Sequence, residues 1–387
     1  MSNIVGANAE RSRSHNRQVV LGRVRAAGQT GRAEIARGSG LSTQAVSNII
    51  ADLLEDGLIA EQGVRAGGRG LPVVQYGLNP SGGYAVGVEI RPDAIFATVL
   101  DLCGQALVSE RQALGAGDRD QITADVQALT ARVTAAAGVP HARVLGVGIV
   151  MPGPFGLTGL SGSGSELLVW QDVTPAKWFS DALGLPVIVE NDANAAAVAE
   201  RVSGVAQGLE TYAFLYFGSG LGLGIVQNGR LIAGAYGNAG EIGHIPVPSA
   251  GGIVPLEAVV SRLSVQEHLR AAGVHVASGA DLEAAFAAQL PAMTNWLGAA
   301  AEPLSHALTT IENLLDPETI ILGGAMPDVI LDHLLASVTL AERSVSIRAA
   351  RTTPRLMRGA SGRMTATLGA AALVINQEFT PQIAAAS

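Results

Sequence analysis

The spacing of apolar residues changes character near residue 84. Before it, Val19, Val20 and Val24 recur at near-helical intervals between His15 and Ala27, with Gly28 as a stop. A short second helix is predicted over Ala33 to Arg37, and Gly38-Ser39-Gly40-Leu41 reads as a turn. Ser42 then stands as an N-cap ahead of Val46, Ile49, Ile50, Leu53 and Leu54, which lay one apolar stripe along a third helix that Gly57 ends. The opposite face of its first turns carries Ser42, Thr43, Gln44, Ser47 and Asn48, short polar side chains of the kind that meets base edges in a major groove. Two short strands follow, Leu58 to Glu61 and Val73 to Tyr76, around the tip Arg65-Ala66-Gly67-Gly68-Arg69-Gly70. Arg65 and Arg69 are suited there to phosphate or a minor groove. Residues 15–78 therefore read as a winged helix–turn–helix, against the competing reading of a three-helix protein-interaction module with an incidental hairpin. Residues 1–14 are expected to form a flexible end with Arg11 and Arg13 as candidate phosphate contacts, and 79–83 a linker.

Beyond the linker the alternation becomes that of strands. Tyr84 to Ile90, Ala94 to Leu102 and Gln105 to Leu114 predict a meander, and a helix from Gln121 to Ala137 leads into the buried strand Val144 to Val150. A Gly/Ser-rich loop runs from Gly162 to Trp170, where Trp170 either stacks on a ligand or anchors the core. Apolar residues lead into Glu190-Asn191-Asp192, and the Ala-rich Ala193 to Arg201 reads as a helix, which sets these polar groups at a strand end where open α/β sheets bind ligands. Tyr212 to Phe217 is a strand, and Gly218 to Gly224 is read as a tight hairpin between two buried strands. Helices are expected over Leu256 to Ala271, Asp281 to Gln289 and Thr294 to Leu315, a strand and glycine turn over Ile320 to Gly324, and a last Ala-rich helix from Ala366 to Ile375.

Composition narrows the class. With 387 residues, 48% of them hydrophobic, 48 glycines and 15% charged residues, the chain suits two or three packed α/β units. No apolar run reaches the roughly 20 residues that cross a bilayer, and the polar N-terminus has no signal-peptide core, so a cytoplasmic protein without membrane contact is expected. The lone Cys103 excludes an intrachain disulfide and any multi-cysteine metal site. Net charge is −8, yet residues 1–80 hold nine Arg against six Asp and Glu, a basic head on an acidic body.

The stretches Glu190-Asn191-Asp192-Ala193-Asn194-Ala195-Ala196-Ala197 and GSGLGLGIVQNGRLIAGAYGNAGEIGHI, over 218–245, resemble the sugar-binding half of the ROK family of sugar kinases and sugar-responsive repressors. The resemblance covers about residues 17–377. It implies an actin-like, sugar-kinase-like ATPase fold of two lobes, the first over 84–190 and completed by about 360–380, the second over 191–359. A winged helix–turn–helix precedes the sugar domain in repressors of this family, and its kinases lack one.

By the same resemblance, Asn191, Asp192, Glu241, His244 and Glu257 match the sugar-contacting set. Carboxylates accept hydrogen bonds from vicinal hydroxyls and Asn191 supplies a donor and an acceptor. Met151-Pro152-Gly153-Pro154 resembles the turn beneath the sugar, which adds Gly153 and, through the loop, Trp170. Asp192 stands at the position of the kinases' general base. The first phosphate-binding turn, however, is replaced by Glu89-Ile90-Arg91-Pro92-Asp93, which has no glycine and whose Pro92 lacks an amide donor, so kinase activity and a bound cofactor are not expected. Many members complete a zinc site with three cysteines after the histidine; Ile245 to Leu256 contains none, so no metal is expected. These readings imply a DNA-binding repressor of sugar-utilisation genes with operator DNA and a sugar effector as partners, assembled as a homodimer or tetramer. An ATP-dependent sugar kinase with an accessory DNA-binding domain is the alternative.

Overall fold

The structure is a computed structural model and describes residues 9–65, 72–91, 94–114, 118–151, 153, 170, 174–249, 251–342, 344–360 and 362–379. Arg69, Pro92, Asp93 and the loop 162–169 lie outside the described residues. The head comprises α1 (Ala9–Ala27), α2 (Arg32–Ser39), α3 (Thr43–Glu55), β1 (Ile59–Arg65) and β2 (Val73–Leu78). Val20, Val24, Ile35, Val46, Ile50, Leu53 and Tyr76 close its core. Ser42 caps α3 by accepting the Ala45 N–H at 3.2 Å. Thr30 bridges Tyr76 in antiparallel fashion, so the wing strands gain a third partner that one residue of sequence could not announce. The first helix begins at Ala9, six residues before the expected start at His15; Arg13 on that extension pairs with Asp52 of α3, and Arg17 with Asp56 just past the end of α3. Residues 9–14 are therefore helical rather than a flexible end, and Arg13 is engaged with a carboxylate.

The body holds two five-stranded sheets with the same plan. In the first, β3 (Tyr84–Ile90), β4 (Ala94–Asp101) and β5 (Ala106–Ala113) form the meander, while β6 (Val144–Val150) and β7 (Val187–Glu190) run parallel to β3, giving the order β5-β4-β3-β6-β7. The second repeats it with β8 (Tyr212–Phe217), β9 (Leu221–Gln227), β10 (Arg230–Leu231), β13 (Ile320–Gly324) and β14 (Leu356–Arg358), in the order β10-β9-β8-β13-β14. Strand β9 follows β8 through a three-residue hairpin at 218–220, as its glycine pattern predicts. In the first lobe, α4 (Arg119–Ala136), between β5 and β6, and α5 (Pro175–Leu183), between β6 and β7, cover the outer face of the sheet with Val126, Leu129, Val133 and Phe179. The second lobe adds α7 (Arg262–Ala271), α8 (Gly279–Ala287), α9 (Pro291–Leu315) and α10 (Asp328–Ser337), and β11 (Pro246–Ser249) with β12 (Gly252–Pro255) forms a separate hairpin. The single helix expected over 256–271 is split into a 3-10 turn at Leu256–Ala258 and α7, because Ser261 takes extended dihedrals and caps Ser264 instead.

Two Ala-rich helices join the lobes: α6 (Asp192–Ser203), on the second sheet, and α11 (Thr365–Phe379), on the first. They approach each other and the sheets almost backbone to backbone. A β-carbon on Gly369 of α11 would fall 2.0 Å from the Ala195 carbonyl oxygen of α6, and one on Gly148 of β6 would fall 1.8 Å from that of Ala370. The far end of α11 reaches the head, where Phe379 lies under Arg25 of α1 at 4.6 Å and the Gln377 carbonyl accepts from Gln18. One hydrophobic cluster accordingly runs from Val20 and Leu53 of the head through α11 to α6.

Gly148→Ala should detach α11 from the first sheet. Overpacking of this kind costs about 1–3 kcal/mol or more, which urea unfolding would read as a lowered midpoint; an unchanged midpoint would mean that α11 yields.

Candidate effector and DNA sites

Between the lobes lies a cleft lined by Glu89, Arg91, Asp192, Tyr216, Ser219 and Arg262, among others. Strand β7 ends at Glu190 and Asn191 caps α6, so the turn of chain into that helix delivers Asp192 to the cleft. The Asn191 Oδ1 is committed to the Asn194 N–H at 2.7 Å, which leaves its amide nitrogen as the group for a ligand. Asp192 accepts the Ala193 N–H at 2.8 Å; burial first, then the nearby Glu89, push its carboxyl from the ordinary 3.8 up to about 7. Burial and the same two carboxylates hold the Tyr216 phenol protonated.

On the first-lobe side Glu89 is almost fully buried and doubly engaged. Its Oε1 accepts from Arg91 Nε at 2.6 Å and its Oε2 from the Thr367 hydroxyl of α11 at 2.6 Å. The Arg91 guanidinium also lies 4.3 Å above the Phe96 ring and donates to the Arg363 carbonyl. Its backbone N–H bonds to the Ala94 carbonyl, so a hairpin turn capped by a bulky, paired cation stands at the end of β3.

A second cluster gathers at the other side of the 218–220 turn. Gly218 sits beside Asp192, a β-carbon on it falling 3.2 Å from Oδ2, while one on Gly220 would fall 2.3 Å from Glu257 Oε2. That glycine leaves the Glu257 carboxylate its seat, where it also accepts the Leu221 N–H at 3.4 Å. His244 stands between Glu257 at 3.9 Å and Glu241 at 3.7 Å. Burial raises the Glu241 carboxyl, with His244 opposing and Glu257 assisting. The pattern Glu-Ile-Gly-His places both its polar ends on one side because Ile242 to His244 is a 3-10 turn, in which residues three apart eclipse.

The sequence-derived set thus divides. Glu241, His244 and Glu257 come together, Asp192 lines the cleft across the turn from them, and Asn191 spends its oxygen on a cap. Gly153 is described only as a bend following Met151, which lines the cleft. Trp170 does not stack on the cleft: it is 6% exposed, packed at 4.9 Å against Phe179 in the first-lobe core, because α5 presents an apolar face there. Sequence reasoning missed Thr367, Tyr216, Ser219 and Arg262. Only Arg91, standing where glycine is expected, carried a signal.

The zinc implied by the family resemblance does not fit. Residues 246–255 fold as the β11–β12 hairpin, with Val247 opposite Val254, and no thiol stands near a His244 already shared by two carboxylates.

On the head, Thr43, Gln44 and Asn48 are exposed on α3 and Ser47 is half-buried. Gln44 Nε2 donates to Asn48 Oδ1 at 3.0 Å, and Arg65 on the wing lies 3.8 Å from Glu34. No helix among the described residues is long and apolar enough to cross a membrane.

A winged helix–turn–helix joined to a two-lobed, actin-like sugar-kinase fold is thereby defined. The chain belongs to the ROK family, whose profile matches residues 85–377. The crystal structure of a ROK family transcriptional regulator, a homologue of the E. coli MLC protein, aligns with 94% of this chain and 97% of its own at TM-score 0.72 and 24% identity. A xylose repressor of Bacillus spizizenii is 26% identical over 245 residues, 61% of each chain. The ROK hexokinase of Thermus thermophilus aligns over 98% of its length with 76% of this chain, at TM-score 0.59 and 27% identity.

A carboxyl that binds its proton more tightly when folded favours folding below its unfolded pKa and loses that advantage as pH rises through the folded one. Asp192 should therefore subtract stability between about pH 4 and pH 7. Asp192→Asn is expected to melt at a higher temperature than the parent at pH 8 and to show a smaller fall between pH 5 and pH 8. Parallel melting curves for the two proteins would sink the assignment.

Proposed function

We propose that this protein is a sugar-responsive transcriptional repressor of sugar-utilisation genes, acting in the cytoplasm as a homodimer on operator DNA. The observation that carries the reading is the path of α11, which touches the interlobe cleft through Thr367 and Glu89 and the DNA-binding head through Phe379, Gln377 and α1. The likeness to xylose repressors supports it. A monosaccharide or derivative binds through Asp192, the Asn191 amide and the Glu241, His244, Glu257 cluster. Closing the lobes on it shifts α6 against α11 and changes how the heads are held, a population shift between two lobe arrangements. Coupling of this kind is reciprocal, so operator DNA weakens sugar binding by the same factor.

The kinase reading has one observation in its favour, the raised pKa of Asp192, which suits a general base. Against it stands the Glu89–Arg91 pair at the end of β3, where the family's kinases cradle phosphate with glycine amides. Sustained sugar-dependent ATP turnover abolished by Asp192→Asn would reverse the preference for a non-enzymatic regulator.

Fluorescence anisotropy on DNA from upstream of the protein's own gene, titrated with sugars that include xylose and glucose, tests the reading. Tight binding reversed by one sugar is expected, and Glu241→Gln should keep operator affinity while needing at least about tenfold more sugar for release, the loss of one charge-assisted hydrogen bond. Thr367→Val, which deletes the hydroxyl but keeps the shape, should retain both affinities and reduce their coupling, which typically spans about 5–150-fold. Equal release by parent and variant would remove Thr367 from the path.

A further inference from the structure

The recognition helix also restricts which bases it can read, an inference that rests on the head binding operator DNA. Residues 42–56 contain no Lys or Arg. Guanine displays two acceptors in the major groove, N7 and O6, and is read chiefly by a cation donating to both. Three described cations of the head are already paired: Arg13 bonds to Asp52 and Arg17 to Asp56, and Arg65 lies beside Glu34. Those first two pairs neutralise carboxylates that would otherwise repel phosphate.

What α3 does present is an ordered amide pair. Gln44 and Asn48 are one helical turn apart, both exposed, and joined by the 3.0 Å bond from Gln44 Nε2 to Asn48 Oδ1. The bond leaves the Asn48 amide hydrogens and the Gln44 carbonyl oxygen as neighbouring donor and acceptor. Adenine offers the complement, an N7 acceptor beside an N6 donor, whereas guanine would set O6 against the Gln44 oxygen. Ser42 has given its oxygen to the α3 cap, so it competes weakly for the same edge. The exposed Thr43 and Ala51 on the same helix add methyl groups suited to the C5-methyl of thymine.

We propose that Gln44 and Asn48 together read one adenine in each half-site, and that the base pairs under α3 are A·T. Selection of random duplexes by the full-length protein, followed by anisotropy on the selected site and its single-base variants, tests this. Enrichment of an A·T core is expected, with replacement of the read pair by G·C weakening binding by about tenfold or more. Asn48→Ala and Gln44→Ala should each flatten that preference with the salt dependence unchanged, Asn48→Ala by weakening the A·T site and Gln44→Ala also by relieving the clash with guanine O6, and Gln44→Arg should shift preference toward G·C. An invariant G·C pair under α3, or preference at the A·T pair surviving both alanine variants, would overturn the assignment while leaving a DNA-binding head intact. Failure to enrich any duplex would instead remove the DNA-binding reading, and this inference with it.

Discussion

The arrangement depends on how closely α11 can lie against its neighbours. Helices with ordinary side chains pack with axes 8–10 Å apart; here Gly369 meets the backbone of α6 and Gly148 that of α11, with no room for a β-carbon. So tight a fit leaves few positions for α11 that avoid collision, and packed interfaces of this kind move between discrete arrangements rather than deform smoothly. The small residues of α6 and α11 therefore do two things at once. They bring the lobes near enough to share a cleft, and they fix the course of α11 so that its far end meets the head at Arg25 and Gln18.

Electrostatics in the cleft are arranged around that helix. Two carboxylates, Glu89 and Asp192, face the same small volume, and a buried like-charged pair is costly unless one is paired or protonated. Glu89 is satisfied by Arg91 and Thr367, and Asp192 answers with a carboxyl whose pKa is pushed up to about 7. The group that ties Glu89 to α11 is a hydroxyl, not an ion, so the link survives changes in salt that would weaken a surface pair. On the opposite side of the 218–220 turn the three groups Glu241, His244 and Glu257 remain partly exposed and spaced beyond hydrogen-bond range, in keeping with groups that await a polar partner.

Much of this was legible in the sequence because it is written in local patterns. The α3 stripe, the Ser42 cap, the period-two strands and the 218–220 hairpin each follow from residues within a dozen positions, whereas the short edge strands β10 and β14 and the order of the strands depend on partners far along the chain. The site was legible where one motif holds it, as in Glu241 to His244. It was illegible where residues far apart converge: Thr367 meets Glu89 across 278 positions, and nothing near either announces the other. Trp170 shows how far a local reading reaches when it leaves two environments open. A tryptophan in a glycine-rich loop has two plausible environments, and only the apolar face of α5 decides between them. On the extension of α1 toward Ala9, Arg13 likewise meets Asp52 of α3 across 39 positions, a partner that no local repeat announces.

The β11–β12 hairpin has a consequence for the conditions under which the protein keeps its shape. A segment organised by thiolate ligands ties the architecture of a ligand site to metal supply and to the oxidation state of sulfur. Here the chain after His244 is closed by cross-strand pairing between Pro246–Ser249 and Gly252–Pro255, and Val247 packs inward from it. The positions of Glu241, His244 and Glu257 are then set by cross-strand pairing and side-chain packing of the polypeptide, where a thiolate-ligated segment would set them through its metal.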